Sequence, residues 1–263
     1  METILDKILK EKEKEIRKLK ENQTTQVDVI LPKRSLIEKL KKAEELAVIA
    51  EFKRASPSKG IINGAADPVQ QAKQYEESGA SAISVLTDQT FFKGSFEDLK
   101  VIREAVGIPV LCKDFIISRI QIDFANASGA DLILLIAAAL DEDQLLDLYN
   151  YAKSKGLEPL VEVHNAEELD KALCIKAELI GINNRDLRNF NVSLETTQQL
   201  AGRVKSSGSF LISESGIFTQ ADAETVRNAG ANGILVGEAL MRSGDIQKNL
   251  TDLRVPFLKG AAK

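Results

Sequence analysis

Residues Ser128–Leu140 read SGADLILLIAAAL: a short Ser-Gly-Ala step, one aspartate, then an apolar run that stops at the next aspartate, Asp141. Glycine in that setting is a natural helix terminator, because it enters the left-handed conformation at no steric cost. The run behind it is continuous rather than alternating, as expected of a parallel strand buried on both faces. A helix end feeding a buried strand is one unit of an α/β fold, and the chain repeats it. Ser78-Gly-Ala-Ser81 leads into Ala82–Leu86, and Ala229-Gly-Ala-Asn232 leads into Gly233–Val236.

Working outward from these copies, apolar runs also occur at Val48–Ala50, Pro109–Cys112, Pro159–Val161, Leu179–Ile182 and Phe210–Ile212, which with Leu132–Leu135 makes eight. Stretches with helical polar faces separate them, such as Pro68–Glu77 and Glu142–Lys153. Eight strand–helix units in 263 residues predict a single (β/α)₈ TIM barrel over residues 46–255. A doubly wound open sheet is the alternative, but no G-x-G-x-x-G follows any of the runs.

Residues 1–45 stand apart as an N-terminal helical extension. Ile4, Leu5, Ile8, Leu9, Ile16 and Leu19 recur at roughly helical spacing among Lys and Glu. Gln23–Gln26 and Pro32 mark a break, and Ser35 with Glu38 reads as the capping box of a second short helix. The plain reading is a solvated surface element; the alternative is a helix that covers the barrel mouth and excludes water. Residues 256–263 read as a frayed, disordered tail.

Composition removes several function classes. Hydrophobic residues make up 44% and charged residues 28%, the balance of a globular protein with a core. A net charge of −4 gives no global positive field for nucleic acid, although a local Lys/Arg cluster can still hold one phosphate. No apolar stretch approaches the roughly 20 residues of a membrane span, and the N-terminus lacks a signal-peptide pattern. Cys112 and Cys174 lie in apolar surroundings without ligand spacing and read as reduced packing residues of a cytoplasmic protein. His164 is the single histidine, so histidine metal sites and a Ser-His-Asp triad have little to work with.

In a barrel of this type the chemistry sits at the C-terminal ends of the strands. There the sequence places Glu51 and Lys53, Thr87 and Asp88, Lys113 and Asp114, Glu162, Asn183 and Arg185, Glu214, and finally Gly237 and Glu238. Singly, each is an ordinary strand end or salt bridge. Converging on one mouth, Glu51, Lys113 and Glu162 make a set for proton transfer that needs neither metal nor redox cofactor. The last two strand ends, Ser213–Ile217 and Val236–Met241, each pass through a Gly-containing turn into a helix, the usual phosphate position in such barrels. A small phosphorylated substrate is therefore expected.

Five segments carry a resemblance: EFKRASPSKG at Glu51–Gly60, Val110–Phe115, Leu160–His164, Gly181–Leu187 and Ser213–Ile217. Together they resemble the indole-3-glycerol-phosphate synthase family, over nearly the whole chain. The resemblance implies ring closure, decarboxylation and dehydration of 1-(2-carboxyphenylamino)-1-deoxyribulose 5-phosphate in tryptophan biosynthesis. It implies Lys113 as general acid, Glu162 in the later proton transfer, and Glu51 and Asn183 as positioning groups near Glu214 and Ser215. Lys53 would neutralise the anthranilate carboxylate. Ser56, Gly216 and Gly237 would hold phosphate, Phe92, Phe115 and Leu134 would wall the aromatic ring, and Arg185 would order the rim. At Glu238 relatives can carry a small hydroxyl residue, so its carboxylate must point away from the phosphate. A monomer is the default expectation. A sibling phosphosugar isomerase and a catalytically silent barrel scaffold are the rival readings.

Overall fold

A computed structural model describes residues 3–21 and 31–258. Eight parallel strands close into a barrel: β1 Ala47–Phe52, β2 Ala82–Leu86, β3 Val110–Lys113, β4 Leu132–Ile136, β5 Glu158–Val163, β6 Leu179–Asn183, β7 Phe210–Glu214 and β8 Gly233–Val236. Each pairs with the next in sequence, and β8 returns to β1 through the register Ala47↔Gly233 to Ala50↔Val236. Each of the eight sequence runs falls on one of these strands, Pro109 alone standing one residue before β3.

Strand parity divides the buried side chains into two cores. Val48, Ala50 and Phe52 of β1, Val110 and Cys112 of β3, and Val161 and Val163 of β5 pack outward under the helices. Ala47 and Ile49, Leu111, Leu132, Leu134 and Ile136, Leu160, Leu179, Ile212 and Leu235 fill the interior. Because side chains alternate along a strand, the inward set continues at the strand ends as Glu51, Lys113, Glu162, Asn183 and Glu214. The apolar interior thus ends in a polar layer on one side only.

Helices α3 Pro68–Glu77, α5 Phe96–Ala105, α6 Arg119–Ala127, α7 Glu142–Ser154, α8 Ala166–Cys174, α9 Glu195–Ser207, α10 Gln220–Ala229 and α12 Ile246–Leu253 form the outer layer. Short helices α4 Gln89–Phe92 and α11 Glu238–Met241 sit after β2 and β8. The three Ser/Ala-Gly-Ala steps behave as read: Gly79, Gly129 and Gly230 have φ of 93°, 92° and 117°.

The two helices before β1 serve opposite ends of the barrel. Helix α2, Leu36–Lys42, closes the floor, with Leu36 and Leu40 in the interior core. Ser35 caps it by accepting the Glu38 N–H at 2.9 Å, but the reciprocal half of the capping box is missing because Glu38 pairs with Lys41. Glu158 of β5 satisfies two other N–H groups of the first turn, accepting from Leu36 N at 2.9 Å and Ile37 N at 3.2 Å. Helix α1, Ile4–Glu21, lies across the other end and buries Ile8, Lys12 and Ile16. Neither is the solvated surface element of the plain reading, since each lays an apolar face on an open end of the barrel. The break read at Gln23–Gln26 lies outside the described residues.

Two other expectations are corrected. Cys174 is exposed, at the C-terminal end of α8, while Cys112 is buried; the neighbours of Cys174 in sequence, Leu173 and Ile175, pack against the core instead. The start of the tail is ordered as far as described: Pro256 bridges Glu45, and Phe257 N donates to Glu44 O at 3.0 Å. Residues 259–263 lie outside the described part.

Candidate active site

The polar layer and the loops above it line one cavity at the C-terminal mouth. Glu51, Lys53, Ser56, Phe92, Lys113, Phe115, Leu134, Glu162, Asn183, Arg185, Ser215, Gly216 and Gly237 all contribute to its wall. Of the catalytic and substrate-binding residues implied by the resemblance, Glu214 does not line the cavity; it is buried, with Oε2 2.9 Å from Lys113 Nζ. Thr87 and Asp88 turn away from it and serve the frame around the mouth. Thr87 Oγ1 donates to Asp114 at 2.6 Å, and Asp88 accepts the Phe91 and Phe92 N–H groups to cap α4.

Lys113 is the centre of the polar half. Its ammonium lies 3.3 Å from Glu51 and 2.9 Å from Glu214, and Lys53 pairs with the other oxygen of Glu51. Burial favours the neutral amine, but the charges of Glu214, Glu51 and Glu162 outweigh it, so the Lys113 pKa is raised and the ammonium form persists. Glu51 experiences the converse: burial pushes it up, and Lys53 and Lys113 hold it below its usual range. Gly237 makes room for this pair, since a Cβ there would collide with the Glu51 carboxylate.

Glu162 and Glu214 are both buried and differ in environment. Glu162 has His164 Nε2 at 3.3 Å on its far side. Burial raises Glu162, yet the His164 contact and charge and the Lys113 charge more than offset it, leaving the pKa at about 2. Glu214 is pushed up to about 7, first by burial and then by the Glu162 charge, against the pull of Lys113. One carboxyl held toward its ionised form and one pushed toward its protonated form therefore lie near one ammonium.

The opposite half is apolar. The Phe92 and Phe115 rings are 6.0 Å apart at 34°, and Leu134, Ile136, Ile4, Leu5 and Ile8 complete an apolar slot. The last three come from α1, so the helix covers the mouth over the ring side. Its apolar periodicity was legible in the sequence, but the surface it meets was not.

The third side runs through Ser56, Lys59, Gly216, Gly237 and the first turn of α11. After β7 the backbone takes two successive left-handed residues, Ser215 at φ 66° and Gly216 at φ 80°. A non-glycine residue in that region is strained and requires support from its surroundings. The support is Asn184, whose Nδ2 donates to Glu214 O at 2.9 Å and Ser215 O at 3.0 Å. Ser215 Oγ in turn donates to Asn183 Oδ1 at 2.8 Å. Glu238 faces Lys59 and Arg242, each at 3.5 Å, so cations already engage its carboxylate.

Sequence reading missed His164, Asn184, Lys59 and Gly181. For His164 a signal existed, because it stands two residues beyond Glu162 just as Lys53 stands two beyond Glu51. Gly181 had none: only the structure shows that a Cβ there would collide with Glu214. Among the described residues no group of three or more His, Cys, Asp or Glu could hold a metal ion.

Comparison with known proteins places this geometry. Solved structures of a thiamine phosphate pyrophosphorylase from Pyrococcus furiosus (21% identity, TM-score 0.61, 83% of this chain and 96% of that chain) and a 3-hexulose-6-phosphate synthase (15% identity, TM-score 0.61, 80% and 98%) share the fold. Closer in sequence are indole-3-glycerol phosphate synthases of Oceanobacillus iheyensis, 52% identical over 98% of both chains, and Exiguobacterium sibiricum, 55% identical over 91% of this chain and 92% of that one. That of Bacillus cereus is 51% identical over 97% of this chain and 99% of its own. The family model for indole-3-glycerol phosphate synthase matches residues 5–253. With a barrel mouth that pairs an ammonium acid with carboxylates across from a ring slot, and relatives of this closeness, the chain belongs to the indole-3-glycerol phosphate synthase family, decarboxylating carbon–carbon lyases of tryptophan biosynthesis.

Proposed function

We propose that the family's reaction runs here with Lys113 as the acid, Glu162 as the base, and the substrate stretched between the ring slot and the Ser56–Gly216–Gly237 side. The observation that carries this assignment is the Lys113 ammonium, held between Glu51 and Glu214 at the boundary of the polar and apolar halves. With the anthranilate ring between Phe92, Phe115 and Leu134 and the phosphate on the far side, the ribulose carbonyl comes to lie over Lys113. Attack by the ring carbon that bears the carboxylate forms the new C–C bond, and Lys113 gives its proton to the carbonyl oxygen as charge develops there. Lys53 accompanies the carboxylate until CO₂ leaves and the ring regains its electrons. The hydroxyl then departs as water on a proton from Lys53, while Glu162 accepts the proton given up by the adjacent ring carbon, and Asn183 with Ser215 holds the geometry. Holding both ends of a flexible chain supplies a large share of the rate.

Arg185 belongs to the rim in this assignment, and Glu238 acts through its pairing with Lys59 rather than by touching phosphate. The same reading takes the enzyme as a monomer in the cytoplasm with no nucleic-acid or membrane partner. The net charge of −4 supports it, as does a described surface on which no helix is long and apolar enough to cross a membrane. Sedimentation at a dimer's mass would overturn the monomer.

The test of the site is Lys113→Ala with the carboxyphenylamino-deoxyribulose phosphate, following the fluorescence of the indole product. Loss of a general acid is expected to lower kcat by roughly 10²–10⁴-fold while circular dichroism stays unchanged. Near-normal turnover would remove Lys113 as the acid.

A further inference from the structure

Glu214 Oε1 is fully buried and has no hydrogen-bond donor facing it. Glu162 is its neighbour in the same buried layer: it stands opposite Gly181 in the strand register, and Glu214 Oε1 fills the space over Gly181. Two carboxylates cannot hydrogen-bond to each other, so a single shared proton is the donor that closes this gap. In isolation such a pair is symmetric, and either member could carry the proton. A mechanism that uses one as base requires the symmetry to be broken.

His164 breaks it. The imidazole is 9% exposed and lies between two carboxylates, with Nε2 3.3 Å from Glu162 and Nδ1 2.9 Å from Glu168. Glu168 also accepts the His164 backbone N–H at 2.8 Å, so ring and main chain are both fixed to the first turn of α8. The charged groups around the ring are Glu162 on β5, Glu168 on α8 and Asp186 on the loop after β6, the last held by Arg188 at 2.8 Å. The segment of α1 above it presents Leu5, and Thr3 precedes that helix. Carboxylates flank both ring nitrogens, Nδ1 hydrogen-bonded to Glu168 and Nε2 in an ion-pair contact with Glu162 outside hydrogen-bond alignment; together they outweigh burial and raise the ring's pKa toward the cation.

We infer that His164 is a positioning residue: as an imidazolium anchored by Glu168, it keeps Glu162 as the carboxylate and leaves the shared proton on Glu214. The inference deepens the assignment of Glu162 as base and rests on it. Glu162 lines the cavity and His164 does not, so the cation selects the base without meeting substrate.

Two measurements test it. His164 is the only histidine in the chain, so the untagged protein gives one imidazole signal in a long-range ¹⁵N–¹H spectrum. Both ring nitrogens are expected to stay protonated through pH 8; a ring that titrates near the ordinary 6.5 overturns the inference without reference to activity. The second is the pH dependence of kcat in His164→Gln, which keeps a hydrogen-bond donor but no charge, and in His164→Lys, which restores a charge. The glutamine variant is expected to move the acidic limb upward by about one pH unit or more, and the lysine variant to move it back. A uniform fall at all pH values, with the limb unmoved, assigns His164 a merely structural role and overturns the proposal. Glu162→Gln run alongside separates the two claims. If that variant keeps normal turnover, the role of Glu162 fails whatever His164 does. If it is inactive and the His164→Gln limb is unmoved, only the His164 inference fails.

Discussion

Lys12→Met should detach the helix that covers the active site while the barrel beneath stays folded. Lys12 is 1% exposed, and its ammonium lies 2.7 Å from Asp114, 2.9 Å from Asp88 and 2.8 Å from Glu15. Burial works against the charge, but Asp114 and Asp88 outweigh it and raise its pKa. Methionine keeps the length of the stem and removes the cation. Asp88 and Asp114, at 0% and 4% exposure, then face each other without a counter-charge. Asp88 Oδ2 is the worst placed, since no well-aligned donor reaches it and Lys12 is its only compensation at 2.9 Å. Breaking one side of a buried ion pair costs about 3–5 kcal/mol. The opposing contribution on this face comes mainly from Ile8 and Ile16, at about 1.5–3 kcal/mol each before the entropy of ordering the helix is subtracted. The loss is comparable to everything else that docks α1, so the helix should open locally by a factor of roughly 10²–10⁴.

Hydrogen exchange is the direct assay. Amides of Ile4–Glu21 should lose that factor in protection, while those of β4 to β7 keep theirs. Asp88 caps α4, which carries Phe92, and Asp114 accepts the Phe115 N–H at 2.7 Å. KM should therefore rise through the ring slot, while competitive inhibition by inorganic phosphate is unchanged. Adding Asp88→Asn and Asp114→Asn to Lys12→Met should recover part of the protection, because the stranded charges are gone. Unchanged exchange in α1 with an unchanged KM would refute the reasoning.

Three further outcomes follow from the same geometry. Gly237→Ala should lower kcat at least tenfold with little change in melting temperature, because the new Cβ displaces the Glu51 carboxylate; kinetics together with a thermal melt check it. Stability should depend on pH through His164 and Glu162 with opposite signs. The histidine, raised from 6.5 to about 10, contributes fully below pH 6.5 and loses that contribution as pH rises through 10; Glu162, lowered from 4.5 to about 2, contributes above pH 4.5 and loses it as pH falls toward 2. The melting-temperature gap between the parent and His164→Gln should thus be widest between pH 4.5 and 6.5, and a gap that widens toward pH 10 would contradict the sign. Deletion of residues 1–20 should raise KM by removing Ile4, Leu5 and Ile8 from the cavity wall, and unchanged KM and kcat would show that α1 plays no part in binding.

The barrel was legible in the sequence because its determinants are local. A continuous apolar run, a helix-ending glycine and the next run recur in chain order, and strand n pairs with strand n+1, so each unit announces its own place. Parity carried the reading into the site: Glu51, Lys113, Glu162, Asn183 and Glu214 stand at strand ends in phase with the interior core. What the chain could not show by itself is distance between segments far apart in sequence. Lys12 meeting Asp88 and Asp114, Glu158 capping α2, Gly181 yielding space to Glu214, and Asn184 bracing the Ser215 turn all depend on closure of the barrel. So do the electrostatics of the site. Glu162 and Glu214 are chemically identical residues, and their environments differ because folding puts His164 beside one and buries Oε1 of the other without a donor.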